Sequence, residues 1–378
     1  MRTGILPQAR AIPWRFTPGE LSGALADLGM MLPTVLALIR LNGISAVSAL
    51  VVIGLAYLLN ALVYRLPLPV QPLKSLTSTA LALGLSAATI TAGSWWMAAI
   101  FLLLSLTGIG DRLQRLFPLP VVRGIQLSLG MLLLRMTYDL IQPLDPVLLV
   151  GSVALLLVLL KLRPEWSTLA VIAFGVITVV LQRGFPAVEI SLSLPALTFP
   201  SWADFWPALW LLAIPQVPLS LGNSVYATAD TARQYFGDQA AHVTPRRLLG
   251  TMGLANVAAA LFGGVPVCHG SSGLTAHYRL GARSGGAPLM LGALFLISGI
   301  LGSGFLLPIL ELIPFTVFGV LLAYIGISHS LLVRELQGWR EWLPALAVAA
   351  VTWFTRNLAY GYITGLAIYF ILSRLHGK

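Results

Sequence analysis

Six long stretches of this chain contain no Asp, Glu, Lys or Arg. They are residues 41–64, 75–110, 205–229, 248–278, 284–310 and 312–333. A charge-free stretch of about 20 apolar residues is long enough to cross the hydrocarbon core of a bilayer as a helix. Some of these windows exceed one helix and contain prolines or glycines, so they are expected to hold more than one transmembrane element.

The overall composition agrees with this pattern. Only 10% of the residues are charged and 57% are apolar, and the mean hydropathy is +0.88. Soluble domains carry about 25% charged residues, and disordered chains are more polar still. The net charge of +10 comes from basic residues that occur singly or in pairs without a basic run, which argues against a nucleic-acid partner. These features predict an all-α polytopic membrane protein with the lipid bilayer as its surroundings.

The windows and their helix breakers predict about fourteen spans, seven in each half of the chain. The first seven are 20–39, 45–64, 71–86, 93–108, 120–137, 146–162 and 167–182. The second seven are 207–230, 246–263, 270–284, 286–304, 308–329, 341–355 and 357–374. Residues 1–19 are expected to form a cytoplasmic tail, 20–182 the first seven-span repeat, 183–206 a linker, and 207–374 the second repeat.

The placement of basic residues predicts the orientation. With the N-terminus inside and alternating spans, 18 of the 23 Lys and Arg residues fall on the inner side, 4 fall outside, and Lys74 lies within a span. Cytoplasmic loops carry such an excess of Lys and Arg. The asymmetry indicates a cell (inner) membrane protein with both termini cytoplasmic, and it is equally compatible with twelve spans.

Two of the predicted spans begin with prolines that forbid a continuous helix. The first is 67–75 and the second is 264–273, and Pro69-Val70-Gln71 aligns with Pro266-Val267-Cys268 at an offset of 197 residues. Each is the third element of its half, so seven spans per half would give the two halves opposite orientations. We expect spans 3 and 10 to be half-helices preceded by short extended segments.

Irregular backbone at membrane depth is tolerated where it lines a cavity, and a half-helix that begins there directs free N–H groups towards it. Two such helix starts favour an anion. Lys74 lies in the first turn of one half-helix, and an ionisable group inside a span is a functional candidate. The other candidate donors are Gln71, Ser75, His269, Ser271 and Ser272, and Gly270 is expected to let the backbone approach a ligand closely.

Two further spans contribute polar candidates. Gln216 and Asn223 share a helical face on span 8, where Pro215 and Pro218 are expected to interrupt the helix. On span 1, Asp27 is a candidate to carry a coupled proton or to pair with Lys74, and Thr34 is a possible donor. Ordinary structural roles stay open: snorkelling for Lys74, helix capping for His269, and interhelical contacts for the polar face of span 8.

Three common enzyme motifs are absent from the sequence. There is no Walker A loop, no Gly-x-Ser-x-Gly elbow and no His-Glu-x-x-His sequence. No catalytic residues, metal ligands or cofactors are therefore expected. The donor-rich site predicts a secondary transporter of a small inorganic oxyanion. A bicarbonate or nucleobase transporter, an anion channel and a non-transporting scaffold are the alternatives.

Three segments resemble the signatures of the molybdate/sulfate transporter family, which is related to the sulfate permeases. They are 67–74 (PLPVQPLK), 215–224 (PQVPLSLGNS) and 265–274 (VPVCHGSSGL), the last followed by Tyr278-Arg279 and Gly281-Ala282-Arg283. The resemblance covers nearly the whole chain. Family members often have Ala-Gly after Cys-His-Gly, where this chain has Ser271-Ser272, and these two extra hydroxyls are a feature that could alter which oxyanion is preferred.

The resemblance implies the fold of uracil and sulfate permeases, with two inverted repeats of seven spans. In that fold a core domain comprises spans 1–4 and 8–11 (about 20–108 and 207–304), and a gate domain comprises spans 5–7 and 12–14 (about 120–182 and 308–374). Substrate is held between spans 3 and 10, against spans 1 and 8. The family resemblance also implies transport of molybdate or sulfate by elevator-like alternating access. It further implies that the protein forms a homodimer.

Overall fold

The computed structural model describes residues 13–142 and 144–375, and this part of the chain is mostly helical. Its strands are β1 (Gln71–Pro72) and β2 (Val267–Cys268). Its α-helices are α1 (Pro18–Leu25), α2 (Leu28–Asn42), α3 (Ala46–Tyr64), α4 (Lys74–Ala82), α5 (Ala87–Thr107), α6 (Ile109–Leu113), α7 (Leu119–Leu140), α8 (Pro146–Leu162), α9 (Ser167–Arg183), α10 (Trp202–Pro207), α11 (Ile214–Leu219), α12 (Thr228–Phe236), α13 (Pro245–Phe262), α14 (Ser271–Arg279), α15 (Gly286–Ile300), α16 (Ser303–Glu311), α17 (Phe315–Ser330), α18 (Gly338–Thr355) and α19 (Leu358–Arg374).

Several helices are long and apolar enough to cross a membrane. Among the described residues six pass by length and composition, and the α1–α2 pair, bent by 48°, raises the number to seven. Helices α8, α15 and α19 are apolar but shorter. Every segment predicted as a span contains helix, so the multi-pass character is confirmed. The count of fourteen crossings stays a prediction.

The helix that carries Gln216 and Asn223 is continuous, and the expected interruption at Pro215 and Pro218 is wrong. π-helical stretches at Ala208–Ala213 and Ser220–Ala227 join α10, α11 and α12 into one run. A π-turn widens the backbone and changes which carbonyls need a donor, so prolines are accommodated without ending the helix.

The span predicted at 308–329 is two helices. Helix α16 ends at Glu311, and α17 starts after Pro314, which occupies the N-cap position in an extended conformation. Proline fits the start of a helix, because the first N–H groups have no intrahelical partner. The continuous apolar window concealed this break.

The linker predicted at 183–206 is extended up to Ser201, after α9 ends at Arg183. It runs alongside residues of the second half of the chain. Ser191 N–H donates to the carbonyl of Leu301 at 3.0 Å, and Thr198 N–H donates to that of Leu261 at 2.8 Å. These bonds satisfy part of the linker's backbone and attach it to the second half of the chain.

In each half a long helix is followed by a two-residue strand and a nine-residue helix, and glycines lie at close helix contacts. Helix α3 packs on α15 and α13 packs on α5. In α3, Gly54 faces the backbone of Leu296, and in α13 Gly253 faces Leu102. Helices α7 and α17 cross where Gly130 and Gly326 meet. Larger residues at these crossings would hold the helix backbones apart.

Candidate anion site

A two-stranded ribbon fixes the starts of the two half-helices. Strands β1 and β2 are antiparallel, with Gln71 opposite Cys268 and Pro72 opposite Val267. Gln71 and Cys268 are also the residues that the sequence alignment matches. Helix α4 begins two residues after Pro72 with Lys74, and α14 begins after Gly270. The extended segments expected before both half-helices are therefore present, and they hold the two helix starts side by side.

Two asparagines support this ribbon from the neighbouring helices, and sequence reasoning missed both. Asn60 of α3 donates to the carbonyl of Pro69 at 3.3 Å. Asn256 of α13 donates to the carbonyl of Val267 at 2.7 Å, and its own oxygen accepts from the Val267 N–H at 3.2 Å. Both side chains are buried. The only available signal was an amide within an otherwise apolar span.

A cavity of about 280 Å³ lies beside α4. One wall comes from α2, β1 and α4, and it includes the predicted site residues Thr34, Gln71 and Lys74. The opposite wall comes from α7 and is apolar, with Leu129, Leu132, Leu133 and Met136. The remaining lining residues are Met30, Pro72, Thr77, Ser78 and Leu81. The polar wall of the cavity, which carries the candidate donors, thus faces an apolar wall.

Lys74 provides a cation in this cavity. Within the described ranges 13–142 and 144–375, its ammonium makes no hydrogen bond or ion pair, although Asp27 is within electrostatic range. The N–H of Leu73 is bonded to the carbonyl of Pro266, and that of Leu76 to Gln216 Oε1. The N–H groups of Lys74 and Ser75 lie in the first turn, where helices lack internal acceptors. An ammonium and two amide donors suit an oxyanion.

Gln71 connects this cavity to Asp27. Its Nε2 donates to Asp27 Oδ1 at 2.7 Å, and both side chains are 1% exposed. Asp27 Oδ2 and Gln71 Oε1 have no hydrogen-bond partner among the described residues. Gln71 Oε1 also lies so close to Gly270 that a methyl group there would overlap it. Gly270 is therefore needed for close approach, as expected, but the neighbour is a side chain of the site.

The polar face of span 8 contacts both half-helices. Gln216 Oε1 accepts from the N–H of Leu76 at 2.9 Å, so it caps α4. Asn223 Oδ1 accepts from Ser271 Oγ at 2.9 Å, at the start of α14. Both amides are buried. In this conformation they position the helix starts and do not line the cavity beside α4.

His269 is hydrogen-bonded within the protein through both ring nitrogens. Its Nδ1 lies 3.2 Å from the carbonyl of Pro69, which can only accept, so this nitrogen carries the proton. Its Nε2 then accepts from the hydroxyl of Thr251 at 2.8 Å. Of the two roles considered for His269, the geometry in this conformation favours the structural one.

The other predicted residues lie near the ribbon. Ser272 Oγ contacts Met30 Sδ at 3.7 Å, and Gln71 contacts the same sulfur. Ser75 lies in the first turn of α4 but does not line the cavity. Thr77 and Ser78 do line it and were missed, although their spacing of three and four residues from Lys74 places them on one helical face. In the described part of the chain, no cluster of three His, Cys, Asp or Glu residues could hold a metal ion.

Comparison with known proteins assigns the chain to a family. A family model described as "Molybdate transporter of MFS superfamily" matches residues 19–133 and 208–328. This protein belongs to the molybdate transporter family. Molybdate transporter 2 of Arabidopsis thaliana is 30% identical over 408 residues, covering 94% of this chain and 87% of that protein. Molybdate transporter 1 of Chlamydomonas reinhardtii is 25% identical, covering 95% and 92%. The resemblance drawn from the sequence motifs is confirmed.

Solved structures share the fold of this molybdate transporter family member. The transmembrane domain of the cyanobacterial bicarbonate transporter BicA matches with a TM-score of 0.57 and 17% identity, covering 95% of this chain and 98% of that one. Murine Slc26a9 in the inward-facing state matches with a TM-score of 0.59 and 14% identity, covering 98% and 70%. At these identities the likeness concerns the fold alone.

Proposed function

We propose that this protein is a secondary transporter that moves molybdate, or a closely similar tetrahedral oxyanion such as sulfate, across the membrane. The observation that carries this proposal is the Lys74 ammonium at the start of α4, which lines a cavity of the apolar helix bundle and has no hydrogen-bond or ionic partner among the described residues. The named relatives, which are molybdate transporters, support the choice of anion. The missing Walker A loop supports transport without ATP hydrolysis in this chain.

The proposed binding site has three parts. Lys74, Gln71 and Ser75 form the α4 side, where the Lys74 ammonium and the first-turn N–H groups are the donors. Gly270, Ser271 and Ser272 form the α14 side, where Ser271 Oγ is bonded to Asn223 in this conformation. Gln216 and Asn223 hold the two helix starts in place, and His269 fixes the ribbon behind them. The 280 Å³ cavity is large enough to admit a tetrahedral oxyanion together with water.

The proposed mechanism is elevator-like alternating access by two inverted seven-span repeats. A core domain (about 20–108 and 207–304) would carry the anion past a gate domain (about 120–182 and 308–374). The recurring element order supports it, as does the antiparallel pairing of Gln71 with its sequence counterpart Cys268, which a two-fold relation between the halves would produce. The excess of inner-side Lys and Arg supports an inner-membrane location with both termini cytoplasmic. The homodimer stays a proposal from the family resemblance.

Lys74→Gln tests the site directly. Hydrogen bonds to a charged donor contribute about 1.5–3 kcal/mol, so we expect molybdate binding to weaken about 10- to 100-fold. Binding is measured by calorimetry on purified protein, and uptake is measured in proteoliposomes. Lys161→Gln is the matched control, because Lys161 lies at the exposed end of α8.

The same assay separates the alternatives. Competition with sulfate and bicarbonate ranks the anions. Unchanged molybdate binding in a folded Lys74→Gln variant would refute the site. Flux far above transporter turnover would indicate a channel, and binding without flux would indicate a scaffold.

A further inference from the structure

The two half-helices are in different surroundings, although their elements correspond. Helices α4 and α14 have equal lengths and each follows a ribbon strand, so Lys74 corresponds to Ser271 and Ser78 to Thr275. The helices facing them correspond as well, because α7 and α17 both start after an N-cap proline. The contact between Gly130 and Gly326 fixes this register, 196 residues apart. Leu133 therefore corresponds to His329.

On the α4 side, these positions surround open space. Lys74, Ser78 and Leu133 all line the 280 Å³ cavity, which separates α4 from α7. Thr34 of α2 lines the same space. This side of the site is accessible to a ligand.

On the α14 side, the corresponding positions are closed by hydrogen bonds. His329 is fully buried, with Nε2 3.2 Å from Ser271 Oγ and Nδ1 2.8 Å from Thr275 Oγ1. Ser271 Oγ donates onward to Asn223 Oδ1, so the ring N–H at Nε2 donates to Ser271 and Nδ1 accepts from Thr275. One histidine thus joins α17 to two hydroxyls of α14.

A second difference between the halves concerns a threonine whose hydrogen bond joins α12 to α7. Thr231 of α12 corresponds to Thr34 at an offset of 197 residues, and its hydroxyl accepts from Gln126 Nε2 of α7 at 3.0 Å. The position that faces open space in the first half is therefore bonded across to α7 in the second.

We propose that the contact between α14 and α17 is a closed second ligand cavity, and that His329 is the latch that holds it shut. When the cavity beside α4 closes, this one opens, and Ser271, Thr275 and His329 become its polar lining for the same oxyanion. His329 then offers a ring N–H to the ligand in place of Ser271. This inference rests on the proposed alternation between two conformations, and it adds two residues, Thr275 and His329, to the substrate path.

The test measures access to the open cavity. Ser78→Cys places a thiol on the exposed, cavity-lining face of α4, and the single native thiol of Cys268 is buried. The protein is placed in lipid nanodiscs, where both faces are accessible, and labelling with a polar maleimide is timed without any substrate. Adding His329→Ala removes both latch bonds and shifts the population towards the opposite conformation. We expect labelling to slow about threefold to tenfold.

His277→Ala is the matched control, because His277 is also a buried histidine of α14 but bonds to the Pro67 carbonyl, away from α17. It should leave the labelling rate unchanged. If His329→Ala does not fold, Thr275→Val removes one latch bond and should slow labelling to a smaller degree. An unchanged rate in the folded latch variant, or equal slowing in the control, overturns the proposal. Since no substrate is present, this outcome is independent of whether the protein transports molybdate.

Discussion

Asp27 is the buried residue whose surroundings best suit the uptake and release of a proton. It is buried, one carboxylate oxygen accepts from Gln71, and the other has no hydrogen-bond partner in the part of the chain that the structure describes. Gln71 also lines the ligand cavity. We therefore propose that Asp27 carries a coupled proton. Its protonation would change the hydrogen bond from the Gln71 amide, and so affect the cavity that Gln71 lines. Proton entry offsets the inside-negative potential that opposes uptake of an anion.

Asp27→Asn is expected to abolish acceleration of molybdate uptake by an inward proton gradient, because an amide cannot take up the coupled proton. Exchange of molybdate at equal pH should persist. Uptake into proteoliposomes, with and without an imposed gradient, measures both. Glu20→Gln is the control, since Glu20 is an equally buried carboxylate that instead accepts the backbone N–H groups of Arg283 and Ser284. Gradient-driven uptake in Asp27→Asn would exclude Asp27 as the carrier.

At the residue scale, sequence reasoning found those groups that a local pattern marks. Lys74 and Gln71 lie in a segment broken by prolines, and both line the cavity. Structural roles for Gln216 and His269 were among the alternatives, but their partners Leu76 and Pro69 could not be predicted, because they lie at least 140 residues away. The contacts of His329 are not evident from the sequence either, because its hydroxyl partners lie more than fifty residues away.

Helices of the two halves are joined by ion pairs of very different character. Arg123 of α7 is 1% exposed and pairs with Asp230 of α12 and with Glu335 after α17. Arg40 of α2 pairs with Glu311 of α16 at an exposed position. A buried cation that loses a partner is strongly penalised, whereas exposed pairs contribute about 0–1 kcal/mol.

Asp230→Asn is therefore expected to lower the thermal unfolding midpoint by several degrees, because Arg123 keeps only the half-exposed Glu335 as an ionic partner. Glu311→Gln, the comparison variant, should change the midpoint little. Unfolding is followed by tryptophan fluorescence in one detergent. Equal midpoints for both variants would show that the buried network adds no stability.

At the element scale, the sequence predicted helix positions well and helix breaks poorly. The predicted 146–162 coincides with α8, since charges and prolines delimit that span. The break between α16 and α17 and the continuity through Pro215 and Pro218 were missed. Apolar composition is the same on both sides of a break, and whether a proline ends a helix depends on neighbouring backbone that can rearrange into a π-turn.

The whole molecule depends on a few crossings where no side chain intervenes. A methyl group at Gly326 would lie 2.8 Å from the carbonyl oxygen of Gly130 and 3.2 Å from Leu133 Cβ. Gly326→Ala should therefore separate α7 from α17 and destabilise the fold by about 1–3 kcal/mol. The thermal midpoint measures the loss. Gly222→Ala, where the nearest atom is a terminal methyl of Ile125, should be better tolerated; the reverse order would contradict this interpretation.

Composition alone predicted the class of the whole molecule, and motif resemblance predicted its family. The expected arrangement of the helices was taken from the family resemblance. Periodicity gives no such information, because a span that is apolar on every face does not show which face packs against a neighbour. Helix pairs such as α3 with α15 are separated by more than two hundred residues, and no local pattern encodes which partners meet.

The pairing of Gln71 with Cys268 has a mechanical consequence for the proposed cycle. Backbone bonds between the two strands tie one helix start to the other, so their spacing stays constant throughout the stroke. An anion bound between the two helix starts would be selected by size when it binds, and this spacing would not change before release. Discrimination among anions would then depend on the fixed spacing of the two helix starts. The helices packed against them would determine when the site is accessible.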